Sequence, residues 1–317
     1  MIYRKLPHGD KKIGILGLGA NGLAENGDPG EILCTYEMAI ERGVNLFDLA
    51  GENAQPFAPL GCAMKGKRDR VYLQVHFGAD YTQCKYGWTQ DLKKVEESVE
   101  MQLRKLKTDY IDFGFIHCPD QPDELDKAVS GGVVELIRKY QQQGKVQHIG
   151  FSSHNPVMVH KVLDMHIVDM VMFSINPAYD YTDKEEYGIG TAGECMALYR
   201  RCEQEGVGIS VMKPYDGGRL LDEKRSPFPF ALTPYQCVQY ALDKPGVLSV
   251  LAGVGNRERL KEYLDFLDVP ADEKDYSCLG EVSPAEEVGA CVYRPLLGWH
   301  SVRAGRRGLA PGTAPRR

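Results

Sequence analysis

Eight times between residues 11 and 253 a short apolar run gives way to a longer stretch with helical spacing, and no other property of the chain restricts its fold as much. The runs fall at 12–18, 44–48, 71–76, 110–117, 146–152, 170–175, 208–212 and 248–252, and the helical patterns at 31–43, 55–65, 90–106, 123–143, 155–165, 191–205, 232–242 and 256–265. Near-continuous apolar runs describe strands covered on both faces, as in parallel sheets. In the stretch 91–106, Leu92, Val95, Val99, Met101, Leu103 and Leu106 trace one broad stripe with Lys, Glu and Gln elsewhere, the pattern of a helix with one face on a core. Right-handed crossovers that return each strand beside its predecessor close such a series into a (β/α)8 barrel. The expected unit spans residues 1–291.

One motif points elsewhere. Gly17-Leu18-Gly19-Ala20-Asn21-Gly22 matches G-x-G-x-x-G directly after a strand, the signature of a dinucleotide-binding turn. That turn needs a helix opening at the third glycine, whereas Ala24-Glu25-Asn26-Gly27-Asp28-Pro29-Gly30 follows and breaks helices. The glycines therefore read as a tight loop above the first strand.

Barrel chemistry sits at the C-terminal ends of the strands. Asp48, His76 and His117 end the second, third and fourth apolar runs, so the fold would gather a carboxylate and two imidazoles at neighbouring strand ends. Elsewhere the sequence is unremarkable for a soluble globular protein, with 43% hydrophobic and 26% charged residues and no apolar run near the ~18 residues of a membrane span. Met1-Ile2-Tyr3-Arg4-Lys5-Leu6-Pro7 lacks the apolar core of a signal peptide. The nine cysteines, at 34, 62, 84, 118, 195, 202, 237, 278 and 291, include no C-x-x-C pair and read as free thiols of a reducing compartment. A cytoplasmic location is expected. Formal charge is −6, but six arginines follow the last acid, Glu287; without them 32 bases face 44 acids, or −12, unlike a nucleic-acid binder.

Taken in order, several stretches resemble the aldo/keto reductases, most closely the branch with a C-terminal iron–sulfur segment. They are Tyr3-Arg4-Lys5-Leu6; Phe47-Asp48-Leu49-Ala50; Thr108-Asp109-Tyr110-Ile111-Asp112; Gly144-Lys145 with Ile149-Gly150-Phe151-Ser152-Ser153-His154-Asn155; and Met212-Lys213-Pro214 with Gly217-Gly218-Arg219-Leu220. The resemblance implies a barrel that reduces small carbonyl compounds with NADH or NADPH through an Asp, Tyr, Lys and His set, in which the tyrosine protonates the carbonyl oxygen. Asp48 and His117 match that set. The tyrosine position is Asn53 and the lysine position is His76, so two of the four side chains differ. An asparagine amide donates hydrogen bonds but yields no proton. An imidazole, with an ordinary pKa near ~6.5, does yield one, and an adjacent carboxylate would raise that value, so His76 is the candidate acid. Tyr81, Tyr86, Tyr179 and Tyr181 lie in the loops after the third and sixth strands and offer a displaced phenol, although each taken singly reads more simply as an aromatic packed on the barrel rim.

The resemblance also assigns cofactor contacts. Ser152, Ser153, Asn155 and Asn176 would meet the nicotinamide amide, Met212 would replace a ring-stacking tyrosine with Lys213 beside it, and Gly253, Gly255, Asn256 and Arg257, with Arg259 close by, would open the last helix beneath a phosphate. For the arginines, a solvated helix start is the alternative. Relatives in the iron–sulfur branch continue from a Cys-Val-Tyr stretch into a cysteine cluster; here Cys291-Val292-Tyr293 is followed by Arg294-Pro295 and no cysteine. The Arg/Gly/Pro/Ala-rich text at 292–317 reads as a disordered basic tail of a frameshifted or truncated gene, with Trp299 as its one possible anchor, and no [4Fe-4S] cluster is expected.

Two other readings stand beside the reductase. Asp48, His76 and His117 make a two-His-one-carboxylate set that suits a metal-dependent barrel enzyme, though the metal reading lacks further ligands beyond His154. A barrel that binds a nucleotide or metabolite without catalysis also accounts for the two changed positions. The expected partner is a small-molecule carbonyl substrate, with no nucleic acid or membrane, and the expected state a monomer or weak homo-oligomer.

Overall fold

The computed structural model describes residues 1–182 and 187–281. The chain opens with an antiparallel hairpin, β1 (Tyr3–Lys5) and β2 (Lys12–Gly14), then enters the barrel through β3 (Leu16–Gly19), β4 (Leu46–Asp48) and β5 (Tyr72–Phe77). A second hairpin, β6 (Ala79–Asp80) and β7 (Gly87–Trp88), precedes β8 (Ile111–His117), β9 (Val146–Ser152), β10 (Met170–Ser174), β11 (Gly208–Met212) and β12 (Val247–Gly253). Eight of these strands close a parallel barrel in chain order, the last, β12, pairing with the first, β3. Around it lie α1 (Asn21–Asn26), α2 (Pro29–Glu41), α3 (Phe57–Ala63), α4 (Leu92–Leu106), α5 (Pro122–Ser130), α6 (Val133–Gln142), α7 (Pro156–Asp164), α8 (Pro177–Tyr181), α9 (Ala192–Glu205), α10 (Pro234–Leu242) and α11 (Arg257–Leu264). No helix among the described residues is long and apolar enough to cross a membrane. The domain limit at 291, the basic tail and the lost iron–sulfur segment lie outside the described residues.

The expected (β/α)8 barrel is present, with three local differences. The run at 12–18 is two strands, because Lys12–Gly14 folds back to pair with Tyr3–Lys5 while Leu16–Gly19 joins the barrel. That hairpin brings Leu6 and Ile13, both fully buried, against the barrel's inner cluster of Leu46, Phe113, Phe115 and Met170. The stretch 123–143 is two helices rather than one, since Gly132 takes a left-handed φ of 95° and breaks the turn between α5 and α6. The glycine-rich segment after β3 is also not simply a loop: α1 forms there and ends at Gly27, which supplies the left-handed cap at φ 75°. Its Gly22 packs backbone to backbone on the loop after β12, where a Cβ would fall 2.8 Å from Gly253 and Val254.

Strand alternation sorts the side chains into layers inside the barrel. Along β5, Tyr72, Gln74 and His76 share one face; along β8, Phe113, Phe115 and His117; along β4, Leu46 and Asp48. The lowest layers are mainly apolar, Gln74 lies buried one layer below the top, and the uppermost layer carries Asp48, His76, His117 and Ser152. Phe115 fills its layer because residue 150 opposite is glycine, where a Cβ would come 2.5 Å from the ring. The core below the polar layer is therefore solid, and the mouth at the C-terminal ends is where chemistry can occur.

At the opposite end, Asp112 fastens β5 to β8. Its carboxylate, 2% exposed, accepts from Arg68 Nη2 at 2.8 Å, Lys11 Nζ at 3.3 Å and the Leu73 amide at 3.1 Å. Arg68 in turn caps the Tyr110 ring at 3.7 Å and donates to the Val71 and Tyr110 carbonyls. Asp112→Ala leaves two part-buried cations without their counter-charge, and a loss of about 3–5 kcal/mol is expected. Urea unfolding should show a lower midpoint with an unchanged slope.

Candidate active site

The uppermost inward layer is a chain of hydrogen bonds. Asp48 Oδ1 lies 2.7 Å from His76 Nε2 and accepts from Gln74 Nε2 at 3.2 Å, while Oδ2 accepts from the Ala50 amide at 3.2 Å. His76 Nδ1 is 3.0 Å from His117 Nδ1 and 3.4 Å from Ser152 Oγ. His117 Nε2 is 2.9 Å from the hydroxyl of Tyr86. Asp48, His76 and His117 are buried, whereas Tyr86 is 45% exposed, so the chain runs from the interior to solvent.

The directions of these bonds follow from the ends. An ionised carboxylate only accepts, so His76 Nε2 carries a hydrogen and, in the neutral ring, Nδ1 is bare. His117 must then donate from its Nδ1, its Nε2 is bare, and the Tyr86 hydroxyl donates to it. Every bond points toward Asp48 in this state. Burial first, then charge on His76 and His154, holds the His117 imidazole well below its ordinary value. Burial pushes the Tyr86 phenol up to about 12 and the neighbouring Cys118 thiol up to about 12, so Cys118 is an unreactive thiol.

Tyr86 reaches the site because two loops pair. After β4, Asn53 bridges Lys85 in antiparallel fashion, with the Tyr86 amide donating to the Glu52 carbonyl at 2.8 Å and the Ala54 amide to the Cys84 carbonyl at 3.1 Å. Trp88 on β7 adds a bond from its indole N–H to the His117 carbonyl at 3.2 Å. The Asn53 side chain is spent locally, donating to the Ala24 carbonyl at 3.1 Å and accepting from the Gln55 amide at 2.9 Å. Position 53 thus holds the strand that presents the phenol. Of the other three tyrosines, Tyr81 is buried with its hydroxyl bonded to Gly51 and Leu49, and Tyr179 and Tyr181 pack against the core.

The residues assigned to a cofactor lie at the C-terminal ends of β9 to β12 or in the segments that follow them. Asp120, in the loop after β8, organises those after β9: it accepts from Ser153 Oγ at 2.6 Å and from the His154 amide at 2.7 Å, and contacts His154 Nδ1 at 2.8 Å. Asn155 donates to the Asp120 carbonyl at 2.9 Å and caps α7 through the Val157 amide. Buried Asn176 donates to the Lys213 carbonyl at 2.9 Å and accepts from the Tyr179 amide. Met212 ends β11, and Lys213, at a left-handed φ of 56°, lays its ammonium 3.1 Å from the centre of the Tyr187 ring. Gly253 ends β12, with Gly255 in the loop that follows. At the start of α11, Asn256 caps the Arg259 amide, and Arg257 meets Glu31 of α2: its amide at 3.0 Å, Nε at 3.2 Å and Nη2 at 3.0 Å all donate to that carboxylate. An anion therefore already stands where a phosphate was expected.

Gln74, Asp120 and Glu31 carried no motif that would single them out. Gln74 alone left a trace, lying two residues before His76 on the same inward face. For metal binding, His76 turns one nitrogen to Asp48 and the other to His117, a linear order rather than a convergent set. Among the described residues no group of three His, Cys, Asp or Glu side chains is placed to hold an ion.

Residues 15–236 match the model of the aldo/keto reductase family. The chain is 26% identical over 284 residues to the uncharacterized oxidoreductase YqkF of Bacillus subtilis, covering 83% of this chain and 90% of that protein. It is 27% identical over 235 residues to L-galactose dehydrogenase of Arabidopsis thaliana, covering 69% and 67%. Among solved structures, the holo form of the aldo-keto reductase AKR11C1 from Bacillus halodurans superposes with a TM-score of 0.69 at 21% identity over 90% of this chain and 97% of that one.

A neutral, buried His117 has a consequence for stability. Its folded value lies below the unfolded one near 6.5, so the unfolded chain binds the extra proton first as pH falls. The stabilisation is complete above about pH 7 and declines from about 6.5 downward, by up to ~1.4 kcal/mol per pH unit for one proton. In urea titrations at pH 7.5 and 5.0, His117→Asn should weaken this acid-side loss relative to the parent.

Proposed function

The chain belongs to the aldo/keto reductase family, and from that premise we propose that it reduces a small carbonyl compound with a nicotinamide dinucleotide as electron source. The observation that carries this reading is the continuous contact of Asp48, His76 and His117 at the barrel mouth, where the resemblance places the catalytic set. A bound nicotinamide would supply the hydride. The protein's own part is to orient the substrate, exclude water and manage one proton.

The donor set suits such a cofactor. Asn155 spends one amide hydrogen and one lone pair on backbone groups and keeps another of each, the complement a carboxamide needs. Met212, at the end of β11, supplies an apolar side chain at the same end of the barrel. At the other end, the Arg257 fork and the first-turn amide of α11 already hold a carboxylate, which is the chemistry of an oxyanion site. Glu31 occupies that site with a negative charge. It therefore opposes a 2′-phosphate and suits a ribose hydroxyl, so NADH is the preferred cofactor in this reading.

His76 takes the place of an ammonium beside Asp48. Protonated on both nitrogens it pairs with the carboxylate and offers Nδ1–H to His117; neutral, it keeps the bond to Asp48 but accepts at Nδ1. The active form is the one with the extra proton, so activity is lost as pH rises. His76→Gln keeps a bond to Asp48 but carries no proton, and should lower kcat by roughly 100- to 10,000-fold and remove the alkaline loss. Fluorescence titration with NADH, followed by NADH oxidation with a panel of aldehydes and ketones, tests the whole reading; no quenching at millimolar cofactor would sink it.

Nucleotide choice has its own test. Glu31→Gln removes the opposing charge and frees Arg257. Affinity for NADPH should rise roughly 2- to 5-fold, while that for NADH changes little. An unchanged ratio of the two dissociation constants would remove Glu31 from the argument.

A further inference from the structure

We propose that Tyr86, carried by the β6–β7 hairpin, is the proton donor to the substrate carbonyl, and that His117 and His76 form the relay that recharges it against Asp48. The proposal rests on the reductase reading for its substrate, but on separate observations for its residues. The family position for a phenol holds Asn53, whose amide is committed to Ala24 and Gln55. Its antiparallel partner strand delivers a phenol instead, 2.9 Å from His117 and 45% exposed at the mouth. Of the nearby hydroxyls, that of Tyr81 is bonded to backbone groups of Leu49 and Gly51, and that of Ser152 serves the Cys118 amide and the Ile116 carbonyl. Tyr86 is the hydroxyl with one end in the relay and the other facing the mouth.

The proton count works in both states. With no extra proton, each bond points inward and Tyr86 spends its hydrogen on His117 Nε2. With one extra proton on His76, held against the Asp48 carboxylate, every bond beyond His76 reverses: His76 Nδ1–H donates to His117 Nδ1, His117 Nε2–H donates to the Tyr86 oxygen, and the Tyr86 hydrogen is free to face the substrate. In the reaction the carbonyl carbon receives a hydride and its two electrons from the nicotinamide, and the C=O π pair moves onto oxygen. The Tyr86 O–H bond breaks as its proton goes to that oxygen, the His117 Nε2 proton moves to Tyr86, and the His76 Nδ1 proton moves to His117. The carbonyl is reduced by two electrons, the nicotinamide is oxidised by two, and the relay ends in its inward state. A proton from solvent, entering at exposed Tyr86 after the product leaves, resets it.

Other ionisable groups face this relay. Tyr81 shares the hairpin, Cys118 and Asp120 come from the loop after β8, His154 from the loop after β9, and Lys213 and Tyr187 from beyond β11 and β10. Asp120 is paired with His154 and Lys213 lies over the Tyr187 ring, while both ring nitrogens of His117 are already engaged by His76 and Tyr86. Burial is the main force keeping a second proton off His117, and His76 is the ring in direct contact with the Asp48 carboxylate, 2.7 Å from Nε2.

Two measurements on the full chain test this. In histidine 15N NMR without cofactor at pH 8, His117 should carry its hydrogen on Nδ1 and His76 on Nε2, and Tyr86→Phe should shift the His117 Nε2 resonance. A His117 hydrogen on Nε2 under those conditions, or an Nε2 signal indifferent to Tyr86→Phe, overturns the relay. In kinetics with NADH and a carbonyl that the parent reduces, Tyr86→Phe should lower kcat by roughly 100- to 10,000-fold with cofactor affinity held within about twofold, while Lys85→Ala in the same strand keeps the parent rate. Tyr86→Phe retaining more than about a tenth of parent turnover overturns the donor role and leaves the reductase reading standing. A parent that binds no nicotinamide and reduces no carbonyl overturns both.

Discussion

A carboxylate buried in a barrel must be compensated, and Asp48 shows how much of the surrounding structure that requirement organises. At 2% exposure an unpaired charge there would cost several kcal/mol. The chain meets it with three donors drawn from three places: the Ala50 amide just beyond its own strand, the Gln74 amide one layer below on β5, and the His76 imidazole at the top of β5. The imidazole is the one compensator that can itself change protonation. Once His76 faces Asp48, its other nitrogen must find a partner, and His117 supplies it. A single buried charge thus fixes the tautomers of two rings and the orientation of a hydroxyl farther out.

On the proposed reading, the two positions that depart from the expected catalytic set make physical sense together. An ammonium on a long flexible stem is a point charge with three donors and no acceptor, whereas an imidazole passes a proton from one side of its ring to the other. Replacing the first by the second turns a terminal cation into a conduit. The phenol then need not sit beside the cation; it needs only to meet the far side of a second imidazole. Asn53 fits this arrangement because a short side chain with two hydrogen-bonding ends closes the Ala24–Gln55 loop and lets the hairpin strand lie against it. If Tyr86 is the donor proposed above, Asn53, His76 and the placement of Tyr86 form one arrangement.

Much of this was legible in the sequence, and what was not has identifiable causes. The eight strands and the inward places of Asp48, His76 and His117 followed from apolar runs ending in polar residues, because alternation and strand order leave little freedom. The split at Gly131-Gly132 and the strand break at Ile15 were missed because both lie inside patterns whose period continues across them. Tyr86 stood among four loop tyrosines with nothing to separate it, since its role depends on Asn53 pairing with Lys85 across a loop, a contact that no local pattern records. Glu31 was invisible for the same reason: it lies 226 residues from Arg257 and meets it only when the barrel is closed.

That closure joins the two ends of the barrel. Gly17 to Gly19 pair with Leu251 to Gly253, Gly22 abuts the loop that follows, and Arg4 donates to the carbonyls of Leu242 and Val247, the latter 243 positions away. Ring formation over so long a loop carries an entropic cost that grows only with the logarithm of its length, but it cannot be recovered until both ends are present. Until both ends are present, β3 and β12 each have a bare edge. The tight glycine contacts at the seam allow those edges to meet without a side chain between them. The same seam that completes the fold is then the place where a second, incompletely folded copy would compete for pairing, and rapid sealing of β3 to β12 protects the protein from its own neighbours.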